Sequence, residues 1–205
     1  YTIRERQDKY YVENNYDLED IEIDIISYNA KGIEVEEGST EAYNRLIDSL
    51  SICDPQDELF FEKIEGWFDI ENLSDFFIAH FYLANTDFPD NNYKIWRVQS
   101  DTAKWRFFFF DLDGAMRQTY SNQLSDHIDA VEGYQHYPSH TTLILSTLLQ
   151  NPEFREYFHH RFLFHLKETF NPETVVGQIN AFQKHYQALV TEHSYRWDRP
   201  EDYRS

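Results

Sequence analysis

"FIAHFYLANTDFPDNNYKIW", residues 77–96, and "KWRFFFFDLDGA", residues 104–115, decide how this chain reads. From Ser74 onward the run SDFFIAHFYLAN is apolar on nearly every side. That pattern predicts a helix enclosed by other elements, capped by Ser74 and stopping at Asn85. Pro89 blocks further helix, and Asp87, Asp90, Asn91 and Asn92 crowd into the loop around it. YKIWRV and KWRFFFF then read as two strands joined by the turn QSDTA, a β-hairpin over residues 93–110. The second strand runs directly into Asp111, Leu112, Asp113 and Gly114. Carboxylates are costly to desolvate and rarely border so apolar a stretch without a partner or a metal ion.

A hairpin returns the chain to its starting point, so the Asp87–Asn92 loop and the Asp111–Gly114 segment are expected to form one site. Loops held by rigid elements are where chemistry is usually placed. Asp87 and Asn92 have the spacing of the Asp and Asn in the protein-kinase catalytic loop, and in kinases a short β segment then leads to a metal-binding Asp. Phosphoryl transfer needs an acceptor hydroxyl held in line and hard cations that neutralise phosphate charge. Magnesium prefers oxygen ligands and commonly takes only one or two carboxylates. Asp111 and the Asn92 amide oxygen suit that role, Asp113 is a candidate second ligand, and Asp87 is left to orient the attacking hydroxyl.

On these two segments the chain resembles the spore coat protein H (CotH) kinase-like family of atypical kinases. YTIRERQD and EEGSTEAYNRL upstream and LLQNPEFREYFHHRF downstream add to the likeness, which covers most of the chain. The resemblance implies an α+β, mainly helical fold equivalent to a protein-kinase C-terminal lobe. It implies ATP and Mg2+ or Mn2+ as cofactors and transfer of the γ-phosphate to Ser or Thr of a protein. By it, Asp87 matches the catalytic-loop Asp, Asn92 its metal-binding amide and Asp111 the metal-binding acid, with Asp113 beside them as the candidate second ligand for metal and nucleotide. It also implies a secreted or cell- or spore-surface location.

Such a fold further requires a nucleotide-binding N-terminal lobe carrying a phosphate-binding lysine, for which this chain leaves almost no room. Residues 1–205 are therefore expected to be one fragmentary domain: 1–38 a remnant of the N-terminal region, 39–205 the helical lobe with the hairpin. ATP binding by such a fragment is expected to be weak or absent. Glu5 is a candidate relic of the missing region, although an exposed charge explains it as well.

Rival readings of the acids exist. A haloacid-dehalogenase-type phosphatase also places Asp-x-Asp-Gly after an apolar strand, but it needs further strand-end motifs where this chain reads as helix. A metal-dependent glycosyltransferase suffers from the same lack, and a glycosidase would use Asp87 and Asp111 as its two carboxylates. A non-catalytic coat or surface assembly module is the alternative from another class. The blandest reading has the four polar residues merely bonding turn backbone.

Composition sets the outer bounds. Eighteen basic residues face 37 acidic ones, a net charge of −19, so nucleic acid and anionic membrane are unfavoured partners. A basic, Ser-rich protein substrate fits better, because complementary fields speed encounter. Cys53 is the single cysteine and can form no internal disulfide. No stretch approaches the ~20 apolar residues of a membrane span.

Elsewhere the sequence predicts scaffold. YTIRERQDKYY reads as a strand end and a short polar helix, IEIDII as an exposed strand, and KGIEVEEG as an acidic turn. Ser39 or Thr40 can cap a helix carrying Tyr43, Leu46, Ile47 and Leu50, and Asp57 another that runs to about Glu65. The aperiodic stretch 117–140 is expected to border the substrate groove, with His127, His136 and His140 as candidate contacts. Two Asn-Pro-Glu signatures, at 151–153 and 171–173, start helices. Their stripes (Phe154, Phe158, Phe162, His165; Val175, Ile179, Phe182, Tyr186) are expected in a core. His159, His160 and His165 do not form a metal set.

Overall fold

The computed structural model describes residues 5–29, 31–89, 91–117, 122, 124–125 and 140–197. It is a mixed α+β fold made of two compact units, residues 1–159 and 160–205. In the first unit, helix α1 (Lys9–Tyr16) precedes strands β1 (Ile23–Asn29) and β2 (Gly32–Glu37). Helices α2 (Glu41–Ile52), α3 (Phe60–Trp67) and α4 (Ile70–Tyr82) follow, then strands β3 (Tyr93–Val98) and β4 (Arg106–Phe107) and helix α5 (His140–Gln150). Helix α6 spans Pro152–Lys167, and α7 (Pro172–Trp197) lies in the second unit.

The sheet has the order β2-β1-β3-β4 with antiparallel pairing throughout. Its central strand corrects the expectation of an exposed IEIDII segment. Ile23, Asp24, Ile25 and Ile26 are all buried, because β1 is flanked by β2 and β3 and covered on its faces. Asp24 survives there by accepting from the Ser39 amide (3.0 Å) and from Gln99 Nε2 (2.9 Å). KGIEVEEG is the exposed edge strand β2 instead of a turn. Gly38, just beyond it at φ +71°, sits where a Cβ would lie 2.3 Å from an Asp24 oxygen, so only glycine fits.

One sheet face receives α1. Val12 packs with Ile23, Ile25, Trp96 and Phe108, while Tyr11 and Phe110 lie at the border. The opposite face receives α4. Phe76 stacks on Phe107 and Phe77 meets it edge-on, and the Phe107 ring also meets Phe68 and Tyr93. Alternation thus explains the paired rings of Phe107 and Phe108, which serve opposite faces of the sheet. Burying one such ring is worth roughly 1.5–3 kcal/mol, so this aromatic layer anchors the hairpin firmly.

Helix α4 is enclosed as its composition requires, with its apolar side chains and His80 buried. Its cap differs from expectation. Asp69 accepts from the Asn72 amide at the N-terminus, and Ser74 is a buried mid-helix residue; Ile70–Leu73 extend the periodic run one turn earlier than SDFF suggests. Thr40 occupies the N-cap position of α2 without a side-chain bond, and Asp57 accepts from Leu59 N in the turn that leads into α3. Asn151 accepts from Phe154 N and Asn171 from Glu173 N, both at 2.9 Å, at the starts of α6 and α7.

On α6, Phe154 and Phe158 are core residues as expected. The α7 stripe is not. Ile179, Phe182 and Tyr186 are about half exposed or more, since periodicity defines a face but burial needs an element to cover it. Among the described residues no helix is long and apolar enough to cross a membrane.

Candidate functional site

The loop after α4 is built around a buried amide. Ala84 takes a left-handed conformation at φ +47°, which turns the chain and lets Asn85 N bond back to His80 O at 3.1 Å. The Asn85 side chain is fully buried; its Nδ2 donates to His80 Nδ1 (3.1 Å) and its Oδ1 accepts from Asp87 N (3.2 Å). The His80 ring lies flat on Phe88 with centroids 4.2 Å apart and meets Phe109 edge-on. Asp87 is thereby presented half-buried on a braced backbone.

The second acidic segment comes off the hairpin. Only Arg106 and Phe107 form strand β4, shorter than the seven residues expected, although Phe108 N still reaches Lys94 O at 3.0 Å. β4 is an edge strand, and Asn72 of α4 occupies its outer side. Asn72 Oδ1 accepts from Phe107 N at 2.6 Å and its Nδ2 donates to Phe107 O at 3.2 Å. Beyond Phe107 the chain leaves the sheet, and Asp111 adopts φ +54°.

The two segments meet along a short seam. Thr86 N and Oγ1 both donate to Gly114 O (3.2 and 3.1 Å), and Met116 N donates to Leu83 O at 2.7 Å. A Cβ on Gly114 would stand 2.7 Å from Asp87 Oδ2 and 2.8 Å from Asn85 Oδ1. Asp87 therefore rests directly on Gly114. At the other end of the loop, Asn92 Nδ2 donates to Asp111 O at 2.8 Å. Of the six described non-glycine residues with left-handed backbone, Ala84, Asn92, Asp111 and Met116 belong to these segments. Such conformations cost about 1–3 kcal/mol each and concentrate where surrounding contacts over-determine the chain, often at functional sites.

Asp111 and Asp113 are exposed and lie on the wall of a cleft of about 630 Å³. Glu5, Arg6, Gln7, Tyr11, Phe110 and Leu112 complete its lining. Asp87 and Asn92 are not among its lining residues. Among the described residues, no three His, Cys, Asp or Glu side chains gather into a metal cage. The Asp111 and Asp113 carboxylates and the Asn92 Oδ1 are hard oxygen donors of the kind magnesium or manganese takes, and the first two line this cleft.

A family model described as CotH kinase protein matches residues 1–205, the whole chain. The chain belongs to the CotH kinase family. No curated protein and no solved structure matches it. In this CotH chain the topology removes the haloacid-dehalogenase reading, because the Asp-x-Asp-Gly follows a two-residue edge strand of an antiparallel sheet. That phosphatase fold requires a parallel one. A glycosidase would need Asp87 and Asp111 facing one saccharide cleft, and the cleft walled by Asp111 lacks Asp87.

Several residues that matter to this CotH site carried no obvious sequence signal. Asn85, His80, Asn72 and Gly114 are braces, not reactive groups. Asn85 alone was findable, since Asn two residues before Asp87 is the spacing of a side-chain-to-backbone Asx turn. His140, a candidate groove contact, bonds Tyr43 Oη through its Nδ1 at 2.7 Å, and Tyr43 Oη lies 3.1 Å from Tyr93 Oη. Burial lowers the His140 pKa and raises those of both tyrosines. Asp90, His127 and His136 lie outside the described residues.

Proposed function

We propose that residues 1–205 act as one CotH kinase-like domain that transfers the ATP γ-phosphate to Ser or Thr of a protein substrate. The observation that carries this reading is the seam itself: one segment, Asp111–Gly114, bonds Asn92 through its first residue and supports Asp87 through its last. Asp87 would accept the hydrogen bond of the acceptor hydroxyl and orient it. Asn92, Asp111 and Asp113 would hold a divalent cation, which when bound neutralises charge on the phosphate oxygens. The Asn92 amide nitrogen is spent on the Asp111 carbonyl, which leaves its oxygen for that purpose. The braced Asn85–His80 pair keeps Asp87 from drifting, so that orientation costs little at the moment of reaction.

The net charge of −19 favours a basic substrate by steering encounter. The test is magnesium-dependent ATP binding and phosphate transfer to a basic, Ser-containing peptide, comparing the chain with Asp87→Ala and Asp111→Ala. Loss of transfer in both, with ATP binding kept in Asp87→Ala, is expected. Transfer that survives both substitutions overturns the site assignment.

A further inference from the structure

Among the described residues, Arg6 is the one basic side chain that lines the cleft beside Asp111 and Asp113. Its neighbours in sequence are fastened. Glu5 Oε1 accepts from Asn15 Nδ2 at 3.5 Å, and Gln7 O accepts from Lys94 Nζ at 3.4 Å. Asp8 caps α1 by accepting from Tyr11 N at 3.2 Å. Lys94 is itself committed, paired with Glu36 at 2.8 Å, lying over the Phe110 ring and only 12% exposed. Among the described residues the Arg6 side chain is held more loosely. Its side chain is 81% exposed, and its ion pair with Asp8 is long, at 3.8 Å. An exposed guanidinium, held by one long ion pair to Asp8, thus lines an acid-bearing cleft.

Glu5, Asp111 and Asp113 against Arg6 leave the cleft walls net negative, which repels a bare polyphosphate. A nucleoside triphosphate entering with its divalent cation brings phosphate oxygens that the carboxylates cannot bind directly and that need a cation from the protein. Arginine's planar fork matches phosphate bidentately, and Arg6 lines the same cleft as the acids. We propose that Arg6 clamps the phosphate chain of a metal–nucleoside triphosphate complex held at Asp111, supplying the protein cation that Lys94, tied to Glu36, does not. This rests on the kinase reading above.

The test is equilibrium binding of a fluorescent ATP analogue with magnesium, and of adenosine by competition, to the wild-type chain, Arg6→Ala, Arg6→Lys and Asp111→Asn. Because Arg6 is exposed, its variants are expected to melt at the wild-type temperature. Loss of a charge-assisted contact should weaken Arg6→Ala for the triphosphate by about tenfold or more. Adenosine binding should stay unchanged, and Arg6→Lys should recover part of the loss. If Arg6→Ala binds the triphosphate as the wild type does while Asp111→Asn loses it, the clamp is wrong and the kinase reading stands. Equal weakening for adenosine and triphosphate also overturns the clamp. If the wild type binds neither, both fall together.

Discussion

Asn92 donates its side-chain amide to the main-chain carbonyl of Asp111 across 2.8 Å, joining residues nineteen positions apart at the two ends of the hairpin. Both take left-handed backbone, Asn92 at φ +62° and Asp111 at φ +54°. Asparagine tolerates that region better than most residues, so the position selects for both its backbone and its amide.

Those two demands separate by substitution. Asn92→Ala should lose the hydrogen bond and add left-handed strain, a combined cost of about 2 kcal/mol. Asn92→Gly should relieve the strain while still losing the amide. Thermal melting is expected to rank wild type, then Gly, then Ala, whereas phosphate transfer should fall equally in both variants. Transfer in Asn92→Gly at the wild-type rate would remove the amide from the site.

Gly114→Ala places a methyl group against Asp87 and Asn85 at 2.7–2.8 Å. Overpacking of that kind costs about 1–3 kcal/mol. The larger effect is expected on transfer, because the Asp87 carboxylate must move. Melting curves and transfer rates of the same variant, taken together, check this, and a variant with unchanged kinetics would show that Asp87 does not need its present position.

Asn72→Leu removes both side-chain bonds to Phe107 and leaves a buried amide without its acceptor. A loss of about 2–4 kcal/mol is expected from the urea midpoint. Asp69, which pairs with Arg106 at 2.9 Å, should keep the hairpin attached but less exactly held.

His140 predicts a pH dependence. Its pKa is lowered from 6.5 by burial, so below 6.5 the unfolded chain takes up the proton more readily than the folded one. This residue's contribution is intact above 6.5 and is lost as pH falls through the window between 6.5 and the depressed folded value, then levels off. Urea midpoints measured across that range should decline toward acid in the wild type and decline less in His140→Phe. An identical slope in both would place the effect elsewhere.

The legible part of this molecule was local. The helix around Phe76–Phe81, the hairpin and the two Asn-Pro-Glu helix starts follow from periodicity, turn residues and capping chemistry, and each is present. Long-range pairing was not legible. IEIDII alternates apolar and acidic residues like a half-exposed strand, and only the pairing of β1 with both β2 and β3 buries Asp24. Within the site, the encounter of Asn92 with Asp111 followed from the hairpin. The support of Asp87 by Gly114 did not, because it depends on Thr86 and Leu83 lying against Gly114 and Met116. The part of the cleft lining that residues 5–11 supply was also hidden, since α1 reaches it only by packing on the far face of the sheet.

The way Asn72 grips Phe107 bears on what the sheet will tolerate as a neighbour. A bare rim offers unpaired amides and carbonyls as a template for a foreign strand. Here the β4 rim is already answered by a side chain of the same molecule, and the β2 strand carries the exposed acids Glu34 and Glu37. Both margins therefore resist strand-by-strand growth, so a chain this rich in phenylalanine and tyrosine is guarded against fibril formation at the borders of its sheet.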